Sequence, residues 1–529
     1  MKPNLLETFE RLLDEGWRGV FSQQRIFSRV RCLSIGLLVS VRSHLLSNAI
    51  CAAGRQFQDW TADYRVWSQS PWEGRELFDP ILDALPGLLA SAEQPVLAAL
   101  DDTMAKKTGR RIPGVTIGRD PMSPPFHVNL CYGLRFVQVS VLVTPLAGGA
   151  ARALPVGFEF APPAVKPKSA KRAQSATLAN AATSPEKVSA EKAPPEKAAP
   201  EKNETPAQTV RKPATTSEGI AYKQEKKLRR LPQVGLNAII SLRESLDARP
   251  ELRHRKLVVS GDGSYTTRLV LQGLPHDTIY IGRIRKDAKL HFPVESCTVK
   301  TNGRPRQYGP VAPTPDEIYL DASKPWIEVR CFVAGQFRAV LVKVSKTVYW
   351  RNAGVDLPAQ VVVIKAAGYR LRKGGKTLYR HPAYLISTDP DMPLSMLVQA
   401  YLYRWEIECN HRDEKSLLGV AEGHVRNPEA VRRLPQLQVA TYSLLLLASL
   451  LSSGFTRQGG EYLPLPKWRR VAEQSRPSLL DMLNLMRHQI FARSLTHPAL
   501  SFEAFTKTAP NQLKASKPLS PEVLTTFAA

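Results

Sequence analysis

The chain has 529 residues and a formal net charge of +26, with 43% hydrophobic and 8% aromatic residues. This length predicts two to four folded units, and the apolar content is that of a folded protein rather than a disordered one. Residues 161–231 hold 15 Lys and Arg against 7 Asp and Glu, so the rest of the chain is itself strongly basic. This excludes a basic tail on a neutral enzyme and favours a polyphosphate partner, with an acidic membrane surface as the alternative.

The sequence shows no zinc knuckle, redox motif or membrane segment. The six cysteines include no CxxC pair, which suits a reducing cytoplasm. The N-terminus is amphipathic and lacks the apolar core of a signal peptide. The most apolar run, 434–451, contains Pro, Gln, Thr and Ser, so it predicts a buried helix rather than a membrane span. The sequence therefore predicts a cytoplasmic protein without a membrane partner.

Residues 1–90 carry apolar side chains at helical spacing and predict a helical N-terminal domain. Trp60, Tyr64 and Trp67 fall near one face of one segment. A packed helical core explains these aromatics, and so does a module that recognises DNA ends, which the nearby Arg55 and the general charge support. Both interpretations stay open at this point.

The rest of the chain predicts an α/β fold with two interruptions. Three strands in 91–160 suggest an antiparallel meander, and the first, PVLAALDDT, ends in two acids. A helix, a strand ending at Asp262, a short helix and a strand fill 232–286. This order is that of a ribonuclease-H-like core. The remaining segments are a disordered Pro/Glu/Lys-rich linker (161–231), a β-rich insertion (287–390), a catalytic helix over 393–418 with the end of the core (391–470), and a C-terminal helical region and tail (471–529).

Three carboxylates stand where such a fold would bring them together. Asp102 is placed at the end of the first strand, Asp262 ends a later strand, and Glu408 lies in the long helix. Enzymes that cut and rejoin phosphodiesters without a covalent intermediate use two divalent ions for this reaction. Mg²⁺ prefers hard oxygen ligands, so a few carboxylates suffice, and Mn²⁺ can substitute. We therefore expect Asp102, Asp262 and Glu408 to be both catalytic residues and metal ligands.

The long helix sharpens this hypothesis. Tyr401, Arg404, Glu408 and Lys415 fall within one narrow stripe at about 100° per residue, whereas Glu406 falls on the opposite side. An acid flanked by a guanidinium, an ammonium and a phenol suits a metal ligand beside phosphate clamps. A solvated helix face with an ion pair at i, i+4 explains the same pattern.

These residues resemble a known family. The spacing Tyr401-x2-Arg404-x3-Glu408-x6-Lys415 matches the Tyr-Arg-Glu-Lys signature of a group of bacterial insertion-sequence transposases with a DDE catalytic triad. LDDTMAKKTG resembles the first-Asp motif of that group, and SGDGSY resembles the second. SPPF at 123–126 and AYLISTD before the helix are similar as well. The choice of Asp102 over its neighbour Asp101 rests mainly on this resemblance.

The resemblance implies a cut-and-paste DNA transposase. Water frees 3′-hydroxyls at the transposon ends, and these hydroxyls then attack target DNA. It implies double-stranded DNA as the partner, a homodimer that pairs two ends, and a location near the bacterial nucleoid. Tyr401, Arg404 and Lys415 would contact DNA near the cleaved end. A DNA-binding protein without catalysis, and a nuclease without strand transfer, are the alternatives.

Four further residues are candidate DNA contacts. Arg283, Arg285 and Lys286 follow a predicted strand and suit phosphate clamping. Trp350 lies in the β-rich insertion, where an aromatic of this family would stack on a flipped base at the transposon end. A core tryptophan is the other explanation of Trp350.

Overall fold

A computed structural model describes residues 4–165, 217–294, 307–370, 374–457, 461–466, 468 and 475–496, apart from positions 42, 58, 92, 121, 122, 125, 128, 147, 355 and 356. The chain forms two compact units, one of Met1–Pro162 with Leu231–Ala529 and one of Pro163–Arg230. Most of the predicted disordered linker and of the predicted tail lies outside the described residues. Within that linker, residues 217–228 form helix α6 (Ser217–Leu228), so this part of the linker prediction is wrong.

Among the described residues, five α-helices precede the sheet: α1 (Leu5–Trp17), α2 (Gln24–Val39), α3 (Leu46–Ala52), α4 (Trp60–Ser68) and α5 (Asp79–Leu88). Asn4 begins α1 with a capping box in which its side chain accepts a hydrogen bond from the Glu7 amide at 2.9 Å. Trp67 is buried in the core, whereas Trp60 and Tyr64 are exposed. The guanidinium of Arg55 lies 3.1 Å from the fully buried carboxylate of Asp63. This ion pair gives Arg55 a structural role in the helical domain.

One mixed sheet organises the first part of the core. Its strands are β1 (Val96–Lys106), β2 (Thr116–Arg119), β3 (Leu130–Val143), β4 (Arg152–Phe160), β5 (Leu257–Gly261) and β6 (Thr278–Arg283). The strands β1, β3 and β4 form the predicted antiparallel meander, and β2 adds a short strand to β3. On the other edge of β1, β5 and β6 run parallel to it. β1 does not end at Asp102 as predicted, because its pairing with β3 continues to Lys106 opposite Gly133.

The segment predicted as a β-rich insertion contains further strands, most of which extend the same sheet. They are β7 (Leu290–His291), β8 (Val311–Ala312), β9 (Ile327–Val333), β10 (Gln336–Trp350), β11 (Pro358–Ile364), β12 (Gly368–Tyr369), β13 (Leu378–Tyr379) and β14 (Ala383–Ser387), with helix α9 (Pro315–Leu320) between β8 and β9. β14 pairs antiparallel with β6, and β11, β10, β7 and β8 follow in that order. β12 and β13 form a separate two-stranded sheet.

The remaining helices of the described residues are α7 (Leu231–Asp247), α8 (Arg268–Gln272), α10 (Leu394–Tyr403), α11 (Trp405–Leu417), α12 (Pro428–Ser453) and α13 (Leu479–Thr496). The predicted single helix over 393–418 is two helices. The amides of Arg404 and Ile407 each donate a hydrogen bond to the carbonyl three residues back, at 3.2 and 3.1 Å. These bonds form a tight, 3-10-like turn at Arg404 between the two helices. The apolar helix α12 is long enough to span a membrane, but 94% of its most apolar window is buried inside the protein, which confirms the predicted buried helix.

Candidate active site

The parallel pairing of β1 and β5 places acidic residues side by side. Leu100 pairs with Gly261, so the next residues along the two strands are Asp101 and Asp262. Side chains alternate between the faces of a strand, so Asp101 and Asp102 leave β1 on opposite faces. The site therefore depends on which face of the sheet carries Glu408.

Helices α10 and α11 cover the face of Asp101. Ala99, two residues before Asp101, packs in one apolar cluster with Tyr403 and Ile407, which flank the tight turn. The Nη1 atom of Arg404 lies 3.1 Å from Oδ2 of Asp101 and 3.7 Å from Oε1 of Glu408. One guanidinium thus holds both carboxylates, and Asp101 is only 15% exposed at its side chain while Glu408 is 40% exposed.

Asp102 has different partners. Its Oδ1 atom accepts a hydrogen bond from the Tyr265 hydroxyl at 3.2 Å, and its Oδ2 atom lies 3.3 Å from Nε of Arg135. Arg135 lies on β3 two residues from Val137, the residue that pairs with Asp102. Asp102 therefore belongs to the opposite face of β1, and it is Asp101 that shares Arg404 with Glu408.

Asp262 stands at the predicted strand end, in the turn that follows β5. Its backbone carbonyl accepts hydrogen bonds from the Tyr265 amide at 3.0 Å and from the Thr266 hydroxyl at 3.1 Å. These bonds fix the turn and leave the carboxylate half-buried. Tyr401 stands close by: burial raises the pKa of its phenol, Arg283 and Arg404 oppose the shift, and Asp262 reinforces it.

The electrostatics of the cluster are dominated by burial, with a smaller contribution from repulsion between carboxylates. Burial raises the pKa of Asp101 to about 6, the Arg404 guanidinium opposes this shift, and the nearby Glu408 carboxylate adds to it. Desolvation also lowers the pKa of the Lys415 ammonium, while the charges of Glu414, Glu408 and Asp102 act in the opposite direction. An additional cation bound between the carboxylates would relieve this repulsion.

The other predicted DNA contacts divide into two groups. Arg283, at the end of β6, is exposed, as is Lys286. Arg285 is exposed too, but its Nε atom donates to Asp287 at 2.9 Å. Trp350 is 8% exposed and packs in the main apolar core, which agrees with the alternative of a core tryptophan.

Sequence reasoning missed two neighbours of the cluster on α11. His411 is buried, its Nδ1 atom lies 3.3 Å from Oε2 of Glu414, and its charge acts on Asp101. Trp405, directly after Arg404, is 64% exposed, which is unusual for so large an apolar ring. The i, i+3 spacing of Glu408, His411 and Glu414 was the available signal. Glu406, by contrast, bonds Arg476, in agreement with its predicted exclusion from the stripe.

The donor set of the cluster fits a hard divalent cation. Asp101, Asp262 and Glu408 offer carboxylate oxygens, the ligands that Mg²⁺ prefers, and Asp101 and Glu408 already share one cationic group. Across the described ranges, no three acidic, histidine or cysteine side chains converge closely enough to enclose a metal by themselves.

The sequence of the chain matches the DDE superfamily endonuclease family over residues 27–352, well over half of its length. The chain belongs to the DDE superfamily endonucleases. Membership makes it a nucleic-acid-cleaving enzyme with DNA as the implied substrate, and this family typically uses divalent metals. The matched region of the DDE endonuclease includes β1 and β5, and hence Asp101, Asp102 and Asp262, but it ends before Glu408. No curated protein matches the chain.

The buried Asp101 of the DDE endonuclease has a consequence for stability. Its folded-state pKa of about 6 exceeds the ordinary value of 3.8. Without metal, protonation of Asp101 therefore stabilises the folded state at low pH, and this stabilisation is lost as pH rises through 6. We expect Asp101→Asn to raise the free energy of unfolding at pH 8 by roughly 1 to 3 kcal/mol, with a much smaller gain near pH 4. Thermal melts of both proteins in EDTA across this pH range measure the difference.

The matched control is Asp102→Asn. Asp102 has a guanidinium and a phenol as partners, so its replacement is expected to lower stability at pH 8. An equal stabilisation by both substitutions would contradict the conclusion that Asp101 is the carboxylate that burial destabilises in its charged form.

Proposed function

We propose that this DDE endonuclease is a DNA transposase that cuts transposon ends and joins them to target DNA. The observation that carries the proposal is the shared Arg404: it brings Asp101 of β1 and Glu408 of α11 together beside Asp262. Those elements belong to a sheet with the order β4-β3-β1-β5-β6, the antiparallel-then-parallel order of a ribonuclease-H-like core. The spacing of Tyr401, Arg404, Glu408 and Lys415 supports the transposase assignment within the superfamily.

The proposed carboxylates are those of Asp262, Glu408 and one residue of the Asp101–Asp102 pair. The resemblance selects Asp102, whereas the contacts to Arg404 favour Asp101. Bound Mg²⁺ or Mn²⁺ ions supply activation of the attacking oxygen and stabilisation of the leaving oxygen. The carboxylates would hold these ions, and the ions in turn would hold the attacked phosphate.

The cationic and aromatic side chains around the carboxylates would hold the DNA. Arg404 is positioned to donate to a phosphate once the metals satisfy Asp101 and Glu408, and its planar fork suits that geometry. Lys415, two turns beyond Glu408 on the helix, and Arg283, beside Tyr401, extend the positive surface. Trp350 is left out of the proposed DNA contacts because it is buried. A homodimer that pairs two DNA ends remains part of the proposal.

The test uses duplexes taken from the DNA on either side of the gene, where the proposed function requires terminal inverted repeats. Full-length protein with Mg²⁺ should nick a repeat-ended duplex, and with a pre-cut end it should join that end to a plasmid. Asp262→Asn is the control and should abolish both products. Cutting without joining would indicate a nuclease, and binding with neither product would indicate a DNA-binding protein without catalysis.

A further inference from the structure

Strand β1 runs beyond the acidic cluster into a projecting antiparallel ribbon. β2 lies at one end of the sheet order and pairs with the first residues of β3, with Ile117 opposite Tyr132 and Arg119 opposite Leu130. Paired residues of an antiparallel ladder share a face, so these four side chains lie on one face of the ribbon. The other face is covered, because Met104 lies against Gly118 and Gly133.

The open face of the ribbon combines apolar and cationic groups. Ile117 is 56% and Leu130 67% exposed, and Arg119 is exposed between them. The guanidinium of Arg110 lies 5.4 Å above the ring of Tyr132, which extends the cationic surface at the base of the ribbon. Between residues 106 and 132 the sequence has five Lys and Arg but one acid, Asp120.

The ribbon begins beside the candidate active site. Lys106 ends β1 five residues after Asp101, and its charge acts on Lys415, which lies on the helix of Glu408. Asp120 pairs with Lys106 at 2.6 Å and ties the loop after β2 to the end of β1. Lys106 pairs with Gly133, so its side chain lies on the covered face of the ribbon. The open face continues the face of Asp101, because Tyr132 lies an even number of residues from Gln138, the residue that pairs with Asp101. A phosphate backbone that leaves the carboxylates along that face would therefore reach the ribbon next.

We propose that the open face of this ribbon, formed by Arg110, Ile117, Arg119, Leu130 and Tyr132, binds the duplex DNA next to the cleaved phosphodiester. A two-stranded ribbon fits the major groove of B-DNA, where arginines bind phosphates or guanine and exposed aliphatic groups contact thymine methyls or sugars. The excess of cations selects DNA over a second copy of this equally basic chain, because two such surfaces repel each other. The inference rests on the proposed function for its substrate, and it adds a surface outside the carboxylate cluster.

The test measures the salt dependence of DNA binding by the full-length protein in EDTA, where no cleavage occurs. The probe is a short fluorescent duplex of arbitrary sequence, because phosphate contacts do not depend on sequence. The double variant Arg110→Ala/Arg119→Ala should lower the slope of log K against log[KCl] by about 1.8, since each phosphate contact contributes about 0.9. The pair Arg110→Lys/Arg119→Lys keeps both charges and should keep most of the slope.

The matched control is Arg253→Ala/Lys256→Ala, two exposed cations before β5 at the end of that strand far from Asp262. It should leave the slope unchanged. A ribbon variant that binds with the parent's slope would overturn the inference. So would a ribbon variant that loses self-association in sedimentation, because that face would then be a contact between two copies. If the parent protein itself fails to bind the duplex, the proposed function fails instead, so the two failures are distinguishable.

Discussion

Asp101→Asn is expected to lower the rate of DNA cleavage by about a thousandfold or more, whereas Asp102→Asn should retain a substantial part of the activity. The reason is the alternation of β1: Asp101 faces Arg404 and Glu408, and Asp102 faces Tyr265 and Arg135. Loss of one carboxylate from a cluster of three weakens the hold on the ions that stabilise both oxygens of the reaction. A thousandfold loss corresponds to about 4 kcal/mol in the barrier.

The measurement is single-turnover nicking of a terminal-repeat duplex in Mg²⁺, with binding of the same duplex in EDTA as the control for folding. Glu408→Gln and Asp262→Asn should match the loss of Asp101→Asn. If Asp102→Asn is the inactive variant and Asp101→Asn cleaves normally, the resemblance identifies the first ligand correctly, and the contact of Asp101 with Arg404 serves the fold rather than catalysis.

Arg404→Ala is expected to reduce cleavage by roughly a hundredfold to a thousandfold, or about 3 to 4 kcal/mol. Arg404 is 13% exposed and holds Asp101 at 3.1 Å, so its removal leaves a buried carboxylate without its main counter-charge. It also removes a planar donor to the attacked phosphate. Arg404→Lys should restore only a small part of the rate, because an ammonium lacks the fork that contacts two oxygens.

The control for Arg404 is Arg412→Ala on α11, the helix that begins directly after Arg404. Arg412 is exposed, and its Nη2 atom lies 3.0 Å from Asp413, so its loss should change the cleavage rate by only a few fold. Separate fits of kcat and KM show whether Arg404 acts on the chemical step. An effect confined to KM would reduce Arg404 to a contact for DNA binding and contradict its place between the carboxylates.

Sequence patterns predicted the elements of the core well where one periodicity prevailed. The strand that ends before Asp262, the short helix and strand that follow, and the apolar helix α12 all appear with the predicted type. The opposed positions of Glu406 and Glu408 also follow from helical geometry, and the bond from Glu406 to Arg476 agrees.

The sequence was least informative where long-range pairing decides the structure. Whether Asp101 or Asp102 faces the helix depends on the register of β1 with β5, and a shift of one residue exchanges the two faces. β1 extends to Lys106 because β3 continues to pair with it, which no local signal in DDTMAK reveals. The tight turn at Arg404 occurs without Pro or Gly, so no residue in the sequence marks it.

The most direct measurement of the central claim is a crystal structure of the protein with Mn²⁺ and a pre-cleaved DNA end, analysed by anomalous scattering. We predict anomalous peaks at roughly 2.1 Å from carboxylate oxygens of Asp101, Asp262 and Glu408, with Arg404 turned toward a phosphate. Peaks bound by Asp102 without Asp101, or the absence of any peak at Glu408, would contradict the site described for this DDE endonuclease.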